Sequence, residues 1–183
     1  MSIRNQAMLV NLTVHGWNPS KEDQSITYET NTNHGASHNA GRYIKRLIAN
    51  QFTNPIAAAE KRIRVYVQQN TVPWDDFGFR ALRSDKFFKF REGFDKAVGE
   101  YDATVNAFIK EYQRIIVQQK IELGSMFNEN DYPDSKTVRT KYSVDMTIRP
   151  IQEAENFIVQ ATDDDAAYIK QKMGKDLHAE CIV

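Results

Sequence analysis

The chain has 183 residues, 41% hydrophobic and 11% aromatic, which is enough apolar material for one domain with a sizeable core and excludes wholesale disorder. A single cysteine, Cys181, rules out an internal disulfide framework and suits a reducing cytoplasm. Formal net charge is zero but unevenly placed: residues 42–96 hold twelve Lys/Arg against six Asp/Glu, and residues 97–183 hold ten against fifteen.

In chain order, "AMLVNLTVHGW" alternates at Met8, Val10, Leu12 and Val14, the period of a half-buried strand that His15-Gly16 ends. Residues 18–36 are polar and turn-rich, with "SITYET" as a short second strand. A helix is predicted from about Ser37, where Ala40, Tyr43, Ile44, Leu47 and Ile48 recur at three and four. It should stop before Pro55, and Asn54-Pro55 should open the next helix, with Ile56, Ala59, Ile63, Tyr66 and Val67 as its apolar stripe. Residues 70–79 read as a turn.

The strongest signal follows. Ser84 or Asp85 caps a helix that runs without proline to about Leu123. Phe87, Phe94, Tyr101, Phe108 and Ile115 fall seven apart, and Phe90, Val98 or Ala97, Val105 and Tyr112 complete a heptad seam. Such an arm projects or packs, and its apolar stripe predicts a homo-oligomer of coiled-coil character. Gly124 ends it, Asp134 caps a short helical turn, and "KYSVDMTIRPI" (141–151) alternates as a strand that pairs with residues 8–14. "NFIVQA" is a third strand candidate, and Thr162 with Asp163, Asp164 and Asp165 opens a last helix to about Met173. The class is α+β, mostly helical: a small antiparallel sheet from the chain ends around a long helical insertion, in one domain over 1–183.

Chemistry is sparsely marked. There is no Gly-rich phosphate loop, CxxC, HExxH or GxSxG motif. His34 and His38, four apart, suit zinc with Glu29 or His15, but Gly35 between them favours a loop; Asp75-Asp76 fit a turn, and the later Asp run fits a helix cap. The balance is against an enzyme, and no cofactor or metal is expected. What stands out is "FGFRALRSDKFFKFREGF" (77–94), with six phenylalanines among five basic residues. On the helix, Phe87, Phe90 and Phe94 belong to the seam. Ahead of it, Trp74, Phe77 and Phe79 lie in a loop beside Arg80, Arg83 and Lys86, while "AGRYIKRLIAN" and "EKRIRVYVQQN" add Arg42, Tyr43, Lys45, Arg46, Arg62 and Arg64. Rings that stack bases along a basic track are what single-stranded nucleic acid requires. The competing reading is a solvated basic face, or one that meets the acidic C-terminal half.

"HGASHNAGRYIKRLI", "TVPWDDFGFRAL", "SMFNENDYPD" with "KYSVDM", and "NFIVQATDDDAAYI" together resemble an uncharacterised family of phage and bacterial proteins, to which Leu123, Gly124, Phe127, Tyr132 and Pro133 also conform. The resemblance covers most of the chain, and its motifs are structural punctuation. It implies a phage origin, and with it the host cytoplasm and a place among replication, recombination or defence-interaction proteins. The expectation is an oligomeric, non-enzymatic single-stranded DNA binder without a membrane anchor. The alternative is a protein-interaction factor, an adaptor or an inhibitor of host defence, that docks through its long helix.

Overall fold

Alternating apolar residues build the first strand, β1 (Ala7–His15), of a computed structural model that describes residues 7–151. There follow β2 (Ser20–Glu22), α1 (Gln24–Asn33), β3 (Ile44–Arg46), α2 (Asn50–Asn70), β4 (Val72–Pro73), β5 (Arg80–Arg83), α3 (Phe87–Leu123), α4 (Ser135–Thr140) and β6 (Ser143–Pro150). The fold is α+β, as the sequence predicts. A four-stranded antiparallel sheet has the order β4-β5-β1-β6, and β2 and β3 form a separate pair. β6 lies beside β1, the neighbour expected for it. The third strand candidate at 156–161 and the helix from Thr162 lie outside the described residues.

The described residues group into two compact units. The first gathers residues 7–13, 63–96 and 144–151, the second residues 14–62 and 97–143. In the first, Val10, Val67, Leu82 and Phe90 form a buried cluster, against which Met8, Leu12, Tyr66, Phe87, Phe94 and Met146 pack. Phe90 stacks between Tyr66 and Phe94, with ring centroids 5.7 and 6.1 Å away. In the second, Tyr101, Val105, Phe108, Tyr112 and Ile115 of α3 are buried, as are Leu47, Ile48, Ile56, Ala59, Val138 and Tyr142.

The heptad seam is therefore real as a buried stripe. Phe90, Tyr101, Val105, Phe108, Tyr112 and Ile115 are each 6% exposed or less within a single chain. A short 3-10 turn, Ser84–Lys86, leads into α3, and Gly124 leaves it at φ +53°, a conformation that costs a residue with Cβ more than it costs glycine.

Four local expectations are corrected. "SITYET" belongs to helix α1, not a strand. Asp23 caps it, accepting from the Ile26 amide at 3.3 Å, and its buried face carries Thr27 and Asn31 in place of apolar residues, so periodicity could not reveal it. Residues 37–48 are not a helix. The Asn31 amide donates to the carbonyls of His38 (3.0 Å) and Gly41 (3.1 Å), pinning a loop, after which β3 pairs with β2 in the register Ser20↔Arg46, Lys21↔Lys45, Glu22↔Ile44. Pro55 does not divide two helices, since α2 begins at Asn50 and accommodates the proline near its start, where one backbone bond is lost. Finally, residues 72–83 are not only a turn: β4 and β5 form a hairpin that adds two strands to the sheet.

Candidate nucleic-acid interface

The hairpin between β4 and β5 displays the loop aromatics of the first unit. Its tip is closed by the Trp74 and Asp75 amides, which donate to the Phe79 carbonyl at 3.0 and 3.4 Å. Inside it the Asp75 carboxylate accepts from the Phe77 and Phe79 amides at 3.0 and 2.9 Å, an Asx arrangement that fixes the backbone. Gly78 takes φ +90°, and the Asn11 amide from β1 donates to the Phe77 carbonyl at 3.3 Å. The consequence is a large ring held outward: Phe77 is 87% exposed on a loop whose backbone is pinned from two sides.

Successive strand residues face opposite sides of the sheet. Val10 and Leu82 face the core, so Leu9, Asn11 and Thr13 of β1 and Ala81 and Arg83 of β5 face the other side. On β6 Met146 packs against the core, which turns Asp145, Thr147 and Arg149 outward; all three are exposed. The Arg149 guanidinium lies 4.9 Å over the Phe79 ring, a cation–π contact on that outward face.

The twelve residues marked by the sequence divide between the units. In the first, Phe77 is open, Phe79 lies under Arg149, Trp74 is half-buried, and Lys86 is exposed at the end of its 3-10 turn. Arg80 is committed elsewhere: it donates to the Thr71 hydroxyl (2.7 Å) and to the Thr71 and Gln68 carbonyls (3.0 and 3.3 Å), capping the end of α2. Arg83 makes a bidentate pair with Asp85 at 3.0 and 2.8 Å, which holds the Asp85 carboxyl below its ordinary range. Arg64 is exposed on α2 and has an interaction of its own.

In the second unit, Arg42 and Arg62 lie 3.9 Å from Glu22 and Glu100 as solvent-exposed pairs. Arg46 is exposed on β3, and the Tyr43 hydroxyl donates to the Met126 sulfur at 3.4 Å. Lys45 is the clearest departure: expected to meet phosphate, it is 4% exposed. Its ammonium donates to Asp131 (2.8 Å), Asp23 (3.1 Å) and the Met126 carbonyl (2.8 Å), and Asp131 also accepts from Lys21 at 2.6 Å. A lysine ammonium has three donors, and all are used.

Burial works against the Lys45 charge, but the bonds to Asp131 and Asp23 outweigh it and raise its pKa. Burial likewise opposes the Asp131 charge, and Lys21 and Lys45 nonetheless hold it below its ordinary value. The Ser25 hydroxyl, then Lys45 and the Ile26 amide, bring Asp23 to about 2. Beside this network opens a polar cleft of about 650 Å³ that Glu29, Lys120, Phe127 and Glu129 help to line.

His34 is the C-cap of α1 and His38 stacks on Tyr28, centroids 5.3 Å apart; among the described residues no group of three His, Cys, Asp or Glu side chains is placed to hold a metal ion. Nor is any helix among them long and apolar enough to cross a membrane. Sequence reasoning missed Arg149 and Asp131. Arg149 had a usable signal, since it occupies the polar side of a recognised strand; Asp131, in a turn 86 residues after Lys45, had none. No family model, curated protein or solved structure matched the chain.

Proposed function

We propose that this chain binds single-stranded nucleic acid without acting as an enzyme, and that its first unit carries the binding face. The observation that supports this most is Phe77: an 87% exposed ring on a loop held by the Asp75 carboxylate and Asn11. An exposed ring on a rigid support offers a π-face to a base at little cost in conformational entropy. Phe79, Trp74 and Lys86 belong to the same unit. The resemblance to phage and bacterial proteins fits a role in replication or recombination in the host cytoplasm. Assembly along a strand would have to use surfaces other than the buried seam, such as Val117 and Ile121 of α3, which are 64% and 80% exposed.

Titration of a labelled oligo-dT tests the reading. Affinity should fall with rising salt as counterions are released. Phe77→Ala should weaken binding about 5- to 150-fold, the equivalent of roughly 1–3 kcal/mol per lost stack, while melting stays unchanged. A wild-type chain that binds no single- or double-stranded oligonucleotide at low salt overturns it.

One observation favours a second reading, a protein-interaction factor. Arg42, Arg62 and Arg83 each face a carboxylate, which lowers the pull on phosphate, and Phe88 is 81% exposed on α3. Phe88→Ala would then abolish capture of a partner protein and leave oligonucleotide binding untouched.

A further inference from the structure

Phe77 is a single ring, and one stacked base gives little affinity; a strand needs a surface to follow. The first unit has one. Among the described residues, the outward side of β5, β1 and β6 carries the polar Asn11, Thr13, Thr147 and Arg149 beside Leu9, Ala81 and the Phe79 ring. Val72, paired with Ala81 in register, extends this side to β4 and is 49% exposed. An antiparallel sheet face that carries aromatic rings suits unstacked bases, because their flat faces lie against a flat support while their edges meet short polar side chains. A duplex keeps its base faces internal and can use none of this.

We infer that this outward sheet face, from Phe77 at the hairpin tip across Phe79 to Arg149, is a track for unpaired bases, with Arg149 as its principal cation. The inference rests on the nucleic-acid reading and adds to it the path of the strand, a residue outside the basic middle region, and preference for single strands. Arg149 combines two roles here. Its guanidinium lies over the Phe79 ring at 4.9 Å, and a guanidinium that stacks on a ring can donate to phosphate from its edge. On the same face Arg83 is neutralised by Asp85, so phosphate is favoured at Arg149 over Arg83.

Fluorescence anisotropy with labelled oligo-dT at about 50 mM salt, and with the same strand annealed to oligo-dA, tests this on the full chain. Arg149→Gln should weaken single-strand binding about tenfold and reduce the salt slope by about one. Arg149→Lys should keep the slope and still lose affinity, since an ammonium does not stack as a guanidinium plane does. Thr147→Glu, at an exposed position, should weaken binding several-fold without lowering the melting temperature, and it decides the matter if Arg149→Gln fails to fold. Wild-type affinity in Thr147→Glu and in folded Arg149 variants overturns the track; a loss in Phe77→Ala alongside it would leave the broader reading standing. Equal or tighter duplex binding overturns the single-strand preference. Absence of any binding by the wild type overturns the broader reading, and the track with it.

Discussion

Both units bury apolar side chains, but the second adds buried polar and charged groups that the cluster of the first lacks. The first buries Val10, Val67, Leu82 and Phe90, and its aromatic contacts are ring on ring. The second buries tyrosines whose hydroxyls must find acceptors: Tyr112 donates to the Pro133 carbonyl (3.0 Å) and Tyr101 to that of His15 (3.3 Å), and the half-buried Tyr132 donates to that of Leu47 (2.9 Å). It also buries Lys45 and Asp131, with Gln119 accepting from the Ala49 amide at 3.1 Å. Apolar packing tolerates substitution by degrees, whereas a satisfied polar network fails abruptly when one member is removed. The units should therefore differ in how they fail more than in how stable they are.

Each unit has its own reporter, Trp74 in the first and Trp17, 5.9 Å from the Tyr112 ring, in the second. The largest expected effect is Lys45→Met, which leaves Asp131 and Asp23 short of their shared cation; breaking a buried pair costs about 3–5 kcal/mol. Denaturation of a Trp74→Phe background, followed through Trp17, should show that loss, and a change below about 1 kcal/mol would mean that water replaces the lysine. Phe90→Ala in the first unit should cost a comparable 3–5 kcal/mol through a cavity, yet it should not alter the acid sensitivity of the second.

Acid is the next lever. Asp23 and Asp131 are both held below the ordinary 3.8 in the folded chain, so the unfolded chain takes up protons first as pH falls. The stabilisation from Asp23 is present above the ordinary 3.8 and is lost as pH falls through about 2, and that from Asp131 is lost in the same direction, below 3.8. Trp17 should report this transition in the wild type and show it diminished in Lys45→Met. Coincident Trp17 and Trp74 acid transitions of equal size in both proteins would break the contrast between the units.

Smaller effects sharpen the picture of the first unit. A Cβ at Gly93 would run into the Tyr66 hydroxyl, which donates to the Phe90 carbonyl at 3.1 Å, so Gly93→Ala should cost about 1–3 kcal/mol despite its better helix propensity. The smallest effect belongs to Phe88→Ala. Its ring is 81% exposed, and thermal melting should move by no more than about 0.5 kcal/mol.

Residue order by itself determined the elements that rest on repeated apolar spacing. The alternation at Met8, Val10 and Leu12 made β1, the run from Ile56 to Val67 made most of α2, and the seven-residue seam made α3, entered through the 3-10 turn that begins at Ser84 and left at Gly124. These are short-range patterns, and the hydrophobic effect acts on them the same way in almost any fold. It also marked Phe77 as a loop aromatic. Tertiary structure decided the rest. Thr27 and Asn31 could face inward on α1 because acceptors and donors from residues 38–43 came to meet them. Lys45 could be buried because Asp131, 86 residues later, supplied the opposite charge, and Arg80 was claimed by the end of α2 before any phosphate could be. A charged side chain has no intrinsic side of the surface: whether it stays in water depends on which partner the fold brings to it, and that partner is set by contacts distant in the chain.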